Sequence, residues 1–295
     1  MSRRVLIALI ALGAIWGSSY LFIDIALRGF DPAVVAWGRQ ALGALVLLPF
    51  ALFRGQLRLS GDHVGWVVVV ALVMVGGPTV LIAVGQQSVS PALAGILVST
   101  TPVLTALIAI CARSVERPTI IQMAGVGLGF LGVILLFGVD LREDRALTGG
   151  LLLMLASLGY AAGGWLVKLK VANTPPLGLA AMASAVSAIV LLPVAASRFR
   201  ISEPTLGSTL SIVELGVVGT GIGWVMYYAL IARSGPQQAS LAMYLAPVFA
   251  AVLGFTLADD PLTWSVLIGL LTVVLGSWFA AWRPSVQQPL APPPA

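Results

Sequence analysis

The feature that most constrains this chain is a succession of long stretches without a charged side chain, rich in Leu, Val, Ala and Gly. About 20 apolar residues in an α-helix cross the hydrocarbon core of a bilayer, and a charge placed there is costly. Ten such spans are expected, at 5–27, 33–53, 64–84, 91–110, 119–139, 149–170, 177–197, 210–231, 236–257 and 263–282. The connections between them are too short to hold a soluble domain. Composition points the same way: 59% of residues are apolar, 9% are charged, and mean hydropathy is +1.03. A water-soluble chain carries roughly a quarter charged residues. The expected class is therefore an all-α membrane protein, and soluble globular, disordered and fibrous classes are excluded.

The net charge of +5 is spread too thinly to form a nucleic-acid patch, and its placement fits membrane topology instead. If the N-terminus is cytoplasmic, that side holds Arg3, Arg4, Arg54, Lys168, Lys170 and Arg233 among its basic residues. The other side holds fewer, namely Arg28, Arg142, Arg145, Arg198 and Arg200. Both termini are then expected in the cytoplasm. The first span carries Asp24 and is too long for a signal peptide, so it reads as retained. The Pro-rich segment 285–295 reads as a disordered tail. A single cysteine, Cys111, and a single histidine, His63, placed in a loop, give no basis for a disulfide, a metal cluster or a cofactor.

Shifting the sequence on itself by 144 residues lays Pro32 on Pro176, Pro49 on Pro193, Gly125 on Gly269 and Gly132 on Gly276. A shift of 145 lays Pro91 on Pro236 and Pro102 on Pro247. Matches in this order across whole helices indicate a duplicated unit, 1–140 and 149–282. Each unit holds five spans, an odd number, so the second enters the membrane inverted relative to the first, around a central cavity. A duplicated structural bundle without transport is the bland alternative.

The Trp16-Gly17-Ser18-Ser19 segment, Pro32, Arg39, the stretch from Pro91 to Pro102, Glu116 followed by Gly125 and Gly132, and the repeat itself resemble the drug/metabolite transporter superfamily, in particular an EamA-type ten-helix transporter. The resemblance covers nearly the whole chain, and it is similar to the branch of bacterial amino-acid exporters, the aromatic ones included. It implies a cavity lined mainly by the first, third and fourth helices of each repeat, with the last helix of each at the periphery. It alone implies export. The second half departs by placing Tyr160 where the first has Trp16, and Ala183 opposite Arg39.

A path for a polar solute needs groups that replace its water shell. Trp16, Ser18, Ser19 and Tyr20 in the first span and Ser99, Thr100 and Thr101 before Pro102 are candidates, although such hydroxyls also satisfy backbone carbonyls. Gly76, Gly77 and Pro78, with Thr79, interrupt the third span, and Gly219 to Trp224, Gly221 among them, interrupt the eighth. Either break is a hinge or a fixed kink, as are those at Pro102 and Pro247. Gln86, Gln87, Gln237 and Gln238 frame the two mouths or are ordinary interfacial residues. Trp165, Trp224, Tyr227, Tyr228 and Tyr244 offer aromatic faces, with at most one of Tyr227 and Tyr228 lining a cavity. Trp37, Trp66, Trp264, Trp278 and Trp282 fit an interfacial belt. The solute-binding set expected is Trp16, Ser19, Thr79, Ser99, Thr101, Trp165, Tyr227 and Tyr244.

Asp24, Arg39 and Glu214 are the ionisable residues within spans. Mutual neutralisation of Asp24 and Arg39 is the economical expectation. The alternatives are proton coupling, or Arg39 holding a solute carboxylate with Asp24 holding an ammonium. Glu214, one turn into its span, is within reach of the interface. Gly127-Leu128-Gly129-Phe130-Leu131-Gly132 matches a dinucleotide-binding pattern, but no strand precedes it, so helix packing is its expected role. The expected activity is a secondary transporter that moves small amphipathic metabolites, amino acids foremost, outward by alternating access. A passive channel and an intramembrane enzyme are the competing classes, the latter weak for want of a nucleophile and base. The expected partners are a small solute and the bilayer, with no nucleic acid and no cofactor, and a monomer is compatible with the sequence.

Overall fold

Proline and small polar residues set where the helices begin. In a computed structural model, which describes residues 3–57, 61–111, 119–139, 144–199, 202–239, 242–258 and 263–280, α1 runs Arg3–Leu27 and α2 runs Pro32–Phe53. Asp31 caps α2 by accepting from the Ala33 amide at 2.9 Å, and Pro32 fills the first turn, where no amide donor is needed. Ser90 and Pro91 do the same for α4, which is broken into Pro91–Val98 and Thr101–Cys111. Between α2 and α4, α3 spans 61–85 as Gly61–Val70, a π-helical segment Ala71–Gly76, and Gly77–Gly85. The remaining helices are α5 (Ile120–Val139), α6 (Asp144–Lys170), α7 (Pro176–Arg198), α8 (206–239), α9 (Ala242–Leu257) and α10 (Trp264–Ala280). Within α8, a π-helical segment Leu215–Ile222 separates Leu206–Glu214 from Gly223–Ala239.

All described elements are helical, and seven helices (α1 to α4 and α6 to α8) are long and apolar enough to cross a membrane. The described apolar parts of α5, α9 and α10 are shorter. Two boundaries differ from expectation. α6 starts at Asp144 and α8 continues to Ala239, past Pro236, so α9 begins only at Ala242. A helix does not have to end where hydrocarbon does; charged turns at Arg145 and Arg233 stay helical outside it. His63 likewise lies in the first helical turn of α3 rather than in a loop. The tail at 285–295, together with Trp282, Glu116, Arg142 and Arg200, lies outside the described residues.

Large apolar side chains point outward: Phe53 is 92% exposed, Leu206 77% and Ile189 70%. Alanines, glycines and hydroxyl residues are mixed with leucines and aromatic rings inside, with Ser157, Ser184, Ser187 and Thr220 fully buried beside Leu12, Leu97 and Leu153. Lipid offers no hydrophobic drive to bring helices together, so close approach of small residues does so instead. The chief packings are α1 on α9, α2 on α7, α3 on α6, α5 on α10, α4 on α6 and α2 on α8. At the α5–α10 crossing a side chain at Gly276 would meet the Gly129 backbone and the Gly125 carbonyl, the latter at 2.9 Å.

The breaks have identifiable causes. Pro102 supplies no amide to the Val98 carbonyl and pushes against it, which splits α4 at Ser99–Thr100. The Val98 carbonyl accepts from Thr101 Oγ1 at 2.7 Å, while Ile96 O and Leu97 O, held by the Ser99 and Thr100 amides at 3.2 Å, also accept from Ser99 Oγ at 2.6 Å and Thr100 Oγ1 at 2.7 Å. Backbone satisfied in this way can remain away from water. Pro247, by contrast, sits within a continuous α9. In α3, Pro78 follows the π segment, whose wide turn closes through the Gly77 amide to Leu72 O.

Candidate functional site

The π segment of α8 creates the most specific contact in the interior. In a regular α-helix the Gly223 amide would bond to the Gly219 carbonyl; here it points to Val218 O and Thr220 O. The released Gly219 carbonyl accepts from Trp16 Nε1 of α1 at 3.1 Å. A side chain at Gly223 would lie 2.6 Å from that indole nitrogen, so only glycine leaves room for the ring. Gly223→Ala is expected to push the indole off the Gly219 carbonyl and to destabilise the protein by about 1–3 kcal/mol, read by thermal melting in micelles.

Trp16 belongs to the wall of a cavity of about 40 Å³ between both halves of the chain. From α1 come Trp16, Ser19, Tyr20 and Ile23, and from α2 comes Arg39. α3 adds Thr79 and Ile82, and α4 adds Gly95, Val98 and Ser99 beside its break. The second half contributes Tyr160 of α6, Trp224 of α8, and Met243 and Ala246 of α9. No described residue of α5 or α10 takes part. The free space suits roughly three waters, so a metabolite enters only if the helices move apart.

One wall is aromatic. The Trp16 and Trp224 rings lie 5.4 Å apart edge to face, and Tyr160 stands 6.0 Å from Trp224. Behind them Tyr227 and Tyr228 are each 2% exposed and brace the rings, with Tyr227 5.1 Å from Trp16 and Tyr228 stacked on Trp224 at 5.4 Å. Neither tyrosine lines the cavity.

The other wall carries a charge. Arg39 is 7% exposed, and its Nε donates to Thr220 Oγ1 in the α8 π segment at 3.1 Å. Close approach makes this possible: a side chain at Gly43 would strike Thr220 Cγ2 at 2.7 Å, and one at Gly219 would lie 3.6 Å from Arg39 Nη2. Among the described residues the one ion pair within 4.0 Å is Arg28 with Asp24, so Arg39 has no carboxylate in contact. Glu214, on the turn before the π segment, lies within electrostatic range of Arg39, and its Oε2 is buried without a hydrogen-bond partner.

Several sequence expectations are corrected here. Asp24 does not neutralise Arg39. It pairs at 2.7 Å with Arg28, four residues on and just past the end of α1, where the arginine side chain is 64% exposed and the pair contributes about 0.5 kcal/mol. Glu214 is partly buried, with Oε2 enclosed by packing. Thr101 is buried and committed to Val98 O. Trp165 donates to Thr105 O at 3.2 Å with Lys168 Nζ 4.9 Å over its ring, away from the cavity. Gln86 is buried and ties α3 to Tyr20 O of α1 at 2.9 Å instead of framing a mouth. The side chains of Tyr244, Gln237 and Gln238 lie outside those described.

Trp16, Ser19, Thr79 and Ser99 are thus brought together, and Arg39 joins them. Ser19 Oγ donates to Ile15 O at 2.9 Å; Thr79 Oγ1 accepts from Gln40 Nε2 at 3.0 Å and donates to Val75 O. Sequence reasoning left Tyr160, Trp224 and Met243 out of the binding set, although the repeat held the signal. An offset of 144 carries Trp16 to Tyr160, and one of 145 carries Thr79 to Trp224 and the cavity residue Val98 to Met243.

Comparison with known proteins agrees with this architecture. The EamA-like transporter family matches the chain twice, at residues 3–138 and 147–282. The uncharacterized transporter YoaV of Bacillus subtilis (strain 168) is 22% identical over 278 residues, covering 92% of this chain and 95% of its own. The uncharacterized inner membrane transporter YedA of Escherichia coli (strain K12) is 28% identical over 301 residues, covering 95% of this chain and 93% of its own. A crystal structure superposes with a TM-score of 0.69 at 19% identity, covering 95% of this chain and 98% of that one, which shows a shared fold. With two matches that take up nearly all of its length, this multi-pass membrane protein belongs to the EamA-like transporter family and is a transporter rather than an enzyme.

Proposed function

We propose that the protein is a secondary carrier of the inner membrane that exports small amphipathic metabolites, apolar or aromatic amino acids foremost, by alternating access. Ten spans form two inverted five-helix repeats, 1–140 and 149–282, with both termini cytoplasmic. The solute sits between the aromatic wall of Trp16, Tyr160 and Trp224 and the hydroxyls of Ser19, Thr79 and Ser99, with its carboxylate on Arg39. Its partners are the solute and the bilayer, and a monomer suffices because one chain supplies the whole cavity.

The observation that carries this reading is the small cavity at the junction of the two halves, with one buried cation in its wall. Two further features support it. Each principal packing has a counterpart under exchange of the halves: α1 on α9 matches α6 on α4, α3 on α6 matches α8 on α1, and α3 on α7 matches α8 on α2, while α2–α7 and α5–α10 pair with themselves. Both α3 and α8 are interrupted by π segments, at Ala71–Gly76 and Leu215–Ile222. A bundle with two related packings of similar energy can open its cavity to either side. Gly76, Gly77 and Pro78, Pro102, Gly221 and Pro247 mark where helices bend in that change.

Counterflow in proteoliposomes tests the carrier. Unlabelled solute trapped inside is expected to accelerate uptake of labelled phenylalanine or a related solute above its passive rate. Flux that is linear in concentration and indifferent to trapped solute would show a channel instead.

A further inference from the structure

The cavity presents a single charge to its occupant. Arg39 is held on one side by Thr220 and has no carboxylate within 4.0 Å among the described residues. Two carboxylates lie within the expected spans, and neither reaches the cavity. Asp24 is engaged with Arg28, and Glu214, although within electrostatic range of Arg39, is not part of the wall. Ser19, Thr79 and Ser99 spend their protons on carbonyls of their own helices, so toward a solute they offer only uncharged acceptor oxygens. The rest of the polar surface is the phenols of Tyr20 and Tyr160 and the edges and faces of aromatic rings, none of them a carboxylate.

We propose that the group this site reads is a carboxylate on a flat apolar body, and that it does not read an α-ammonium, so an aryl monocarboxylate binds in preference to the amino acid with the same body. This rests on the carrier reading above and puts simple aryl acids ahead of amino acids among its amphipathic solutes. A guanidinium matches a carboxylate with two parallel hydrogen bonds, and the free donors of Arg39 supply them. Rings at the distance of Trp16 and Trp224 cover the planar part of the solute. An α-ammonium stays two bonds from the carboxylate carbon, hence close to the guanidinium. In a wall without an acid, that like charge is repelled and poorly screened. A zwitterion therefore gains the carboxylate contact and forfeits part of it again, whereas a simple acid keeps all of it.

Three ligands that share a phenyl body isolate the charged group: 3-phenylpropanoate, L-phenylalanine and 2-phenylethylamine. Calorimetric titration of the full-length protein in micelles is expected to rank the acid tightest, with phenylalanine about tenfold weaker and the amine without measurable heat. Glu214→Gln should leave that order unchanged, because its carboxylate is not a contact. Phenylalanine binding as tightly as the acid overturns the inference. So does a selective loss of phenylalanine binding in Glu214→Gln, which would make Glu214 the ammonium partner. Failure of the acid to bind also overturns it. Absence of counterflow for every solute sinks the carrier reading instead, and the wild-type ranking stands as a separate measurement if the variant does not fold.

Discussion

Arg39→Met is expected to abolish binding of 3-phenylpropanoate and to raise the melting temperature in the same preparation. An arginine 7% exposed, with no carboxylate within 4.0 Å, keeps its charge at a cost in desolvation. Its hydrogen bond to Thr220 at 3.1 Å returns only part of that cost. Methionine fills a similar volume without the charge, and since even a whole buried ion pair can give way to apolar residues at no cost or with a gain of about 1–4 kcal/mol, a gain is expected for an arginine with no carboxylate in contact. Each kcal/mol moves the midpoint of a domain this large by roughly 2–4 °C. Loss of a charge-assisted, two-bond contact lowers affinity on the order of a hundredfold, about 2.7 kcal/mol. Arg39→Lys should fall between, since an ammonium holds Thr220 or the solute but lacks the planar fork that serves both. If the melting temperature drops by several degrees while the acid still binds, Arg39 is a strut between α2 and α8 and the site lies elsewhere.

A second large effect is expected from two glycines in one sequence motif. Gly132→Ala should destabilise the protein by about 1–3 kcal/mol through overpacking, whereas Gly127→Ala should be neutral or slightly stabilising, both read by thermal melting in micelles. A side chain at Gly132 would meet the Val273 amide nitrogen at 2.9 Å and Val273 Cγ2 at 2.8 Å, and backbone cannot step aside as a flexible side chain can. At Gly127 nothing lies within 4 Å. The contrast separates packing from nucleotide binding, because a phosphate loop would need all three glycines and a strand before them. Equal tolerance at both positions would mean that α5 and α10 do not cross as closely as this structure has them.

Much of the architecture is legible before any coordinates. Charge-free runs locate the helices to within a few residues, Pro32, Pro91 and Pro176 mark three starts, and Pro102 with its three preceding hydroxyls foretells the break in α4. The same hydroxyl run misleads about function. Ser99 lines the cavity while Thr101, two residues on, is sealed against its own helix, because a broken helix must first satisfy its freed carbonyls. Asp24 misleads for another reason. Its expected partner on the next helix was chosen by depth in the membrane, yet Arg28, four residues on and just past the end of α1, reaches it directly.

What the amino-acid order determines by itself is where the chain becomes helix, where those helices break, and that they sit in lipid, because backbone hydrogen bonding and transfer free energy act locally along the chain. Which face of each helix turns inward is left to the tertiary structure. In a soluble protein polar residues mark the outside, but here lipid and protein interior are both apolar, and helix rotation is decided by where glycine permits close approach. Only that approach brings Arg39 to Thr220 and the indole of Trp16 to the carbonyl that a π turn releases.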